Sequence, residues 1–205
     1  MGAFITLEGG DAVGKSTQAA ALEAWLTGRG ETVLRTREPG GTDLGVAVRE
    51  LVLHRRGPVA ARAEALLYAA DRAQHVAEVV RPALARGDVV VQDRYLDSSV
   101  AYQGAGRVLD ADEVRRLSLW AVEGLLPDLT VLLDLDPRIG RARRADREAY
   151  DRLEAEADDF HDRVRAAFLA LAEAEPARFL VVDASLPQEA VQEAVRAAVA
   201  PLLTR

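Results

Sequence analysis

Cysteine is absent from the 205 residues, which excludes disulfides, thiol catalysis and Cys-based zinc sites. Aromatic residues make up only 5% of the chain, so its core must rest on aliphatic packing. No apolar run approaches the length of about 18 residues that a membrane helix needs, and the N-terminus lacks a charged-then-apolar leader pattern. A cytoplasmic protein with no membrane partner is the expectation. Basic excess is missing too: the formal charge is −7 and the pI near 5.1. A general nucleic-acid binder would carry a basic face, so anions are expected to be handled in local pockets. The three histidines, His54, His75 and His161, show no metal-ligand spacing and read as surface or structural residues.

Hydrophobic residues make up 49% of the chain, enough for a full core, and no linker divides it. One unit spanning residues 1–205 is expected. Runs rich in β-branched residues at 3–8, 32–37, 88–92, 129–135 and 178–182 predict five strands. Helical patterns fill 15–28, 43–54, 61–85, 110–123, 137–145, 157–175 and 187–203. The third and fourth strands are apolar on both faces, as in a parallel sheet covered on both sides. Gly28-Arg-Gly30 and Arg86-Gly87 read as helix stops before strands two and three. The alternation predicts an α/β, doubly wound, five-stranded parallel sheet with helices on both faces.

The first strand runs straight into Gly9-Gly10-Asp11-Ala12-Val13-Gly14-Lys15-Ser16-Thr17, which is G-x-x-x-x-G-K-[ST] opening a helix. Glycines let backbone N–H groups wrap phosphate oxygens, and the helix N-terminus points its positive end at them. The segment is expected to bind a nucleoside triphosphate. Asp93-Arg94-Tyr95 follows the third strand, at the carboxyl edge of the sheet where ligands bind. Asp93 and Ser16 are the expected Mg²⁺ ligands, and the planar fork of Arg94 suits a phosphate. Thr36-Arg37-Glu38-Pro39-Gly40-Gly41-Thr42 forms a turn-rich loop after strand two, and such loops carry function disproportionately. The P-loop alone also admits switches and partition ATPases. However, no Asn-Lys-x-Asp motif occurs, and the early loop positions are Gly10 and Asp11 rather than a second lysine.

Taken with Tyr68-Ala-Ala-Asp-Arg72-Ala-Gln-His75 and Asp93-Arg-Tyr-Leu-Asp-Ser-Ser-Val-Ala-Tyr-Gln-Gly104, these motifs resemble the thymidylate kinase family over essentially the whole chain. The resemblance implies transfer of the γ-phosphoryl of ATP onto dTMP, giving dTDP and ADP, with Mg²⁺ and as a homodimer. It implies that Lys15 reaches the β- and γ-phosphates and Asp11 the 3′-hydroxyl of the deoxyribose. Arg94 holds the acceptor phosphate, helped by Arg37 and Arg49, and Glu38 sits near the sugar or a metal-bound water. Tyr68 stacks on thymine and Arg72 reaches O4. Ser98, Ser99 and Gln103 contact the base and its surroundings, and Tyr102 crowds C2′. Some members carry an arginine where Ala12 stands here. In its place, Arg141 to Glu154 resembles a mobile lid that supplies Arg147 as the catalytic arginine, with Arg143 and Arg152 as the next candidates.

Overall fold

Strand β1 (Phe4–Glu8) is buried along its whole length, and the sheet grows from it in both directions. The computed structural model describes residues 2–144 and 151–204. Beside β1 lie β3 (Val89–Asp93) and β4 (Leu129–Asp134). The edges are β2 (Val33–Arg37) and β5 (Phe179–Asp183). All pairings are parallel, in the order β2-β3-β1-β4-β5, as the alternating pattern requires.

The two faces of β1 differ. Ile5 and Leu7 join Val89, Val91, Val131 and Leu133 in an aliphatic cluster under α1 (Lys15–Thr27) and α9 (Gln188–Val199). Phe4, Thr6 and Glu8 point the other way, and the last two are polar yet wholly inaccessible. That face is covered by α3 (Ala61–His75), α5 (Leu96–Ser99) and α8 (Asp158–Ala174), with α6 (Ala111–Ala121) packed on α3 and α5. Buried polar groups must find partners. Here Thr6 Oγ1 and Thr130 Oγ1 pair at 3.0 Å, and Arg178 forks onto Asp97 at 2.7 and 2.9 Å.

The chain leaves β1 toward β2 and β3 on one side, then crosses from β3 to β4 on the other. The carboxyl ends of β1 and β3 are therefore the point where strand order reverses, and ligands of open α/β sheets bind there. The register pairs Leu7 with Asp93, which sets the P-loop beside the Asp93-Arg94 turn.

Two expected helices contain π-helical turns. The helix expected at 43–54 is α2 (Asp43–Arg49) followed by a π-helical segment at Glu50–His54. The helix expected at 61–85 is α3, a π-helical stretch at Val76–Val80, and α4 (Arg81–Arg86). One helical stretch has no counterpart in the sequence pattern: α5 and its π-helical extension Val100–Gly106. Nearly every residue of 96–106 is buried, so there is no polar face to give a 3.6 periodicity. Helix α7 (Pro137–Arg144) follows β4. Among the described residues, no helix is long and apolar enough to cross a membrane.

Candidate active site

The loop from β1 to α1 has the backbone that a phosphate cradle needs. Gly9 has φ +130°, and a Cβ there would lie 2.4 Å from the Leu133 carbonyl oxygen, so no side chain fits. Gly14 caps α1 at φ +98°. Lys15 is the only lysine in the chain. Its Nζ curls back onto the carbonyls of Gly10 at 2.5 Å and Gly9 at 3.2 Å. Burial, then the nearby Arg94 charge, lowers its pKa from 10.5 to about 8.

Arg94 sits in the left-handed region at φ +67°, a conformation a bulky residue adopts only where its surroundings enforce it. Its N–H donates to Leu7 O at 3.0 Å, fixing the turn that leads into α5. Four bonds hold the guanidinium: NH1 to Gly9 O at 3.1 Å and Ser98 Oγ at 3.0 Å, NH2 to Asp11 Oδ1 at 2.6 Å and Tyr102 Oη at 3.1 Å. Tyr102 also lies under it, 4.8 Å from ring centroid to Cζ, and donates its hydroxyl to Asp11 Oδ2 at 3.1 Å. Buried among carboxylates and the tyrosine, Arg94 stays charged, its pKa raised well above the ordinary value.

Behind this cluster lies Glu8, to which the sequence gives no role. It accepts from Tyr95 N at 2.7 Å and Ser98 Oγ at 2.6 Å, and Ser98 in turn receives Arg94. Burial, then the Asp97 charge, lifts the Glu8 carboxyl to about 7.

A cavity of about 460 Å³ opens from the P-loop toward α3. Its walls include Asp11, Ala12, Gly14, Lys15, Ser16 and Thr17 at one end, and Tyr68, Arg72, Ser99, Tyr102 and Gln103 at the other. Arg37, Glu38, Arg49, Asp93, Arg94 and Ser98 also line it. The structure thus brings almost all the expected site residues to one space. Gly9, Gly10 and Val13 line the back of the loop, against Leu133 and Leu135. Ser16 Oγ donates to Asp93 Oδ2 at 3.0 Å, a pair of hard oxygen donors that fits Mg²⁺. Among the described residues no cluster of three His, Asp or Glu side chains makes a closed metal site.

The far end is a buried ionic network. Arg72, 1% exposed, bonds through Nε to Glu38 Oε2 at 2.7 Å, NH1 to Ser118 Oγ at 3.3 Å, and NH2 to Tyr95 O and Ser99 Oγ, both at 3.1 Å. His75, expected to be surface or structural, is buried with Nδ1 2.9 Å from Glu38 Oε1 and Nε2 2.7 Å from Thr36 Oγ1. His161 is buried and His54 exposed. Glu38 therefore anchors Arg72 and His75 while edging the cavity. Asp71 accepts from Gly40 N at 3.1 Å and thereby ties down the loop of Arg37 and Glu38. Its carboxyl is raised to about 6 by burial and then by Glu38. Arg49 NH1 donates to Pro39 O at 3.0 Å, and Arg37 is exposed at the rim. Tyr68 is 8% exposed and packs with Val48, Leu53 and Leu153; burial pushes its hydroxyl pKa up.

The lid region divides. Arg147 lies outside the described residues. Arg143 lines the cavity, with NH2 donating to Ala184 O at 3.1 Å. Arg152 does not line the cavity: it bonds Val52 O at 2.8 Å and the buried Glu64 carboxylate. Through Glu64 it braces the Gln103 end of the cavity.

Residues 7–195 match the family described as Thymidylate kinase. The chain belongs to the thymidylate kinase family. It is 74% identical over 196 residues to the thymidylate kinase of Leifsonia xyli subsp. xyli, covering 95% of this chain and 93% of that one. It is 57% identical over 198 residues to that of Bifidobacterium longum, covering 95% of both. The crystal structure of thymidylate kinase from Ehrlichia chaffeensis superposes with a TM-score of 0.81 at 29% identity, over 97% of this chain and 98% of that one. Three residues of consequence carry no family-independent sequence signal beyond their place: Glu8, Glu64 and Asp71. Glu8 alone could have been suspected, as an ionisable side chain ending a strand otherwise apolar enough to be buried.

Proposed function

We propose that the protein transfers the γ-phosphoryl group of ATP to dTMP, giving dTDP and ADP. The observation that carries this reading is the single cavity joining a P-loop to a base-sized recess, with Asp93 and Arg94 between them. ATP occupies the Gly9–Thr17 cradle, where Lys15 exchanges the carbonyls of Gly9 and Gly10 for β- and γ-phosphate oxygens. The dTMP phosphate takes Arg94 from Asp11, with Arg37 and Arg49 beside it, and Asp11 turns to the 3′-hydroxyl. Thymine lies against Tyr68, within reach of Arg72, Ser99 and Gln103. Tyr102, held between Asp11 and Arg94, stands where a 2′-hydroxyl would project.

Ser16 and Asp93 are the residues to hold Mg²⁺, which neutralises phosphate charge when bound. The acceptor oxygen is already anionic, so no general base is required. The protein's task is to align donor and acceptor in line and to meet developing charge. The lid, about 141–154, completes the site from above with Arg147, within one domain of 205 residues. Two small nucleotides as reactants fit a cytoplasmic enzyme without membrane or nucleic-acid partners. A homodimer is supported by a groove between α3 and α6, lined by Ala65, Leu66, Leu109, Val114 and Leu117 together with the charged Arg62 and Glu113, with Leu66 57% exposed.

The test is ADP release with ATP and a panel of dTMP, dUMP, dCMP, dGMP and UMP. We expect dTMP to lead and dUMP to follow within about 1–3 kcal/mol, since a pocket discriminates one methyl group only modestly. A different preferred monophosphate overturns the reading.

A further inference from the structure

Behind the base end of the cavity is a carboxylate that the reaction does not use. Glu64, in the first turn of α3, has no accessible surface. Its Oε1 accepts from Gln103 Nε2 at 3.0 Å and Arg107 Nε at 3.2 Å. Its Oε2 accepts from Arg107 NH2 at 3.3 Å and from Arg152 NH2. Gln103 is 2% exposed and lines the cavity.

A primary amide has two ends of opposite chemistry, a carbonyl that accepts and an NH₂ that donates, and a turn about its last torsion exchanges them. Placing the wrong end is ordinarily easy. Here it is not, because Glu64 is a carboxylate between two guanidinium groups and can only accept. Turning the amide over would set the Gln103 carbonyl oxygen against a carboxylate oxygen and leave one of Glu64's buried acceptor positions without its N–H. The NH₂ is therefore committed to Glu64, and Oε1 is the end that serves the cavity.

We propose that Glu64 is a positioning residue for base selection: it locks Gln103 with Oε1 toward the base, an acceptor for the N3–H of a 2,4-dioxopyrimidine. A 4-aminopyrimidine carries an unprotonated N3 and would meet that oxygen acceptor to acceptor. The proposal rests on the dTMP reading given above and explains how the site rejects a cytosine-type base of equal size. Arg72 contributes independently at the 4-position, through a separate set of partners.

The discriminating measurement is kcat/KM for dTMP against that for 5-methyl-dCMP, which keeps the methyl group and differs at N3 and C4. It is made in the wild type, Glu64→Gln, Gln103→Ala and the double variant. A glutamine at 64 can offer either amide end, so Gln103 is freed to turn. Glu64→Gln should lower the dTMP preference at least about tenfold, with kcat for dTMP changing much less than the ratio. In the Gln103→Ala background the same change should shift the ratio less than about twofold, because the group being positioned is gone. Should Glu64→Gln not fold, Glu64→Asp keeps the charge opposite Arg107 and Arg152 but withdraws the acceptor from Gln103, and a reduced preference is again expected. An unchanged ratio, or an equal shift with and without Gln103, reduces Glu64 to a structural residue and overturns the proposal. A wild type inactive on dTMP overturns the substrate reading itself, whereas an active wild type with an unshifted variant overturns only the role of Glu64.

Discussion

The two ends of the cavity are built on opposite plans. At the phosphate end, on the reading proposed above, the groups that hold ATP come from one short segment, Gly9 to Thr17, and much of the recognition is backbone. Its one lysine is held by two carbonyls that a ligand can replace. At the base end the working groups come from α3, α5, α6 and the loop after β2, joined by side chains. Arg72 alone ties Glu38, Tyr95, Ser99 and Ser118 together. The Lys15 side chain can be altered without unfolding the protein, because among the described residues it bonds only two loop carbonyls. The base end is part of the core. Binding and stability are therefore separate properties at one end and one property at the other.

The largest expected effect is at Arg147, which on the proposed reading acts at the phosphate end. Arg147→Ala should lower kcat by about 10³–10⁵ while leaving dTMP and ATP binding nearly intact. Arg147→Lys should rescue only in part, since a point charge cannot reproduce the fork. Measured under saturating substrates, a loss below tenfold would assign Arg147 to a solvated face.

Next in size is Arg72→Ala. It takes the guanidinium from Glu38 Oε2 and leaves, among the described residues, only His75 on that carboxylate, whose side chain is 1% exposed, and breaking such a buried pair costs about 3–5 kcal/mol. The variant should also raise KM for dTMP. Normal stability with altered base selectivity alone would break the contrast. Lys15→Ala should lower kcat by about 10²–10³ through lost contact with the transferring group, and near-normal turnover would remove the P-loop lysine from the mechanism.

A smaller effect follows from the Lys15 pKa of about 8. Its folded value lies below the ordinary one, so the free enzyme holds the charged lysine below pH 8 and loses it as pH rises through 8. The kcat/KM for ATP should therefore fall above pH 8, approaching tenfold per pH unit. Because the chain has one lysine, selective isotope labelling gives a single side-chain signal whose titration can be followed directly. A midpoint near 10.5 would contradict the burial seen here.

The same contrast explains what could be read from the residues alone. The sheet, its parallel order and the P-loop follow from contiguous patterns: an apolar strand, glycines at fixed spacing, a helix start. Asp93 and Arg94 were legible because a strand end fixes their place. The partners of Arg72, however, lie up to 46 residues away, and no periodicity announces that Ser118 or Glu64 will be buried and bonded. Helix α5 and its π-helical extension give no signal for a related reason: Leu96 to Gln103 is buried on every side, so the stretch lacks the amphipathic stripe that marks a helix. The run of arginines likewise offers Arg143, Arg147 and Arg152 as alternatives, and does not reveal that Arg152 pairs with the buried Glu64.

Urea unfolding of Lys15→Ala and Arg72→Ala, run side by side with the wild type, tests the separation most directly. Lys15 is desolvated against its own charge, so its removal should leave stability within about 0.5 kcal/mol or raise it, although turnover collapses. Arg72→Ala should lose about 3–5 kcal/mol. Equal losses in the two variants would contradict this separation and mean that the phosphate end is as deeply built into the core as the base end.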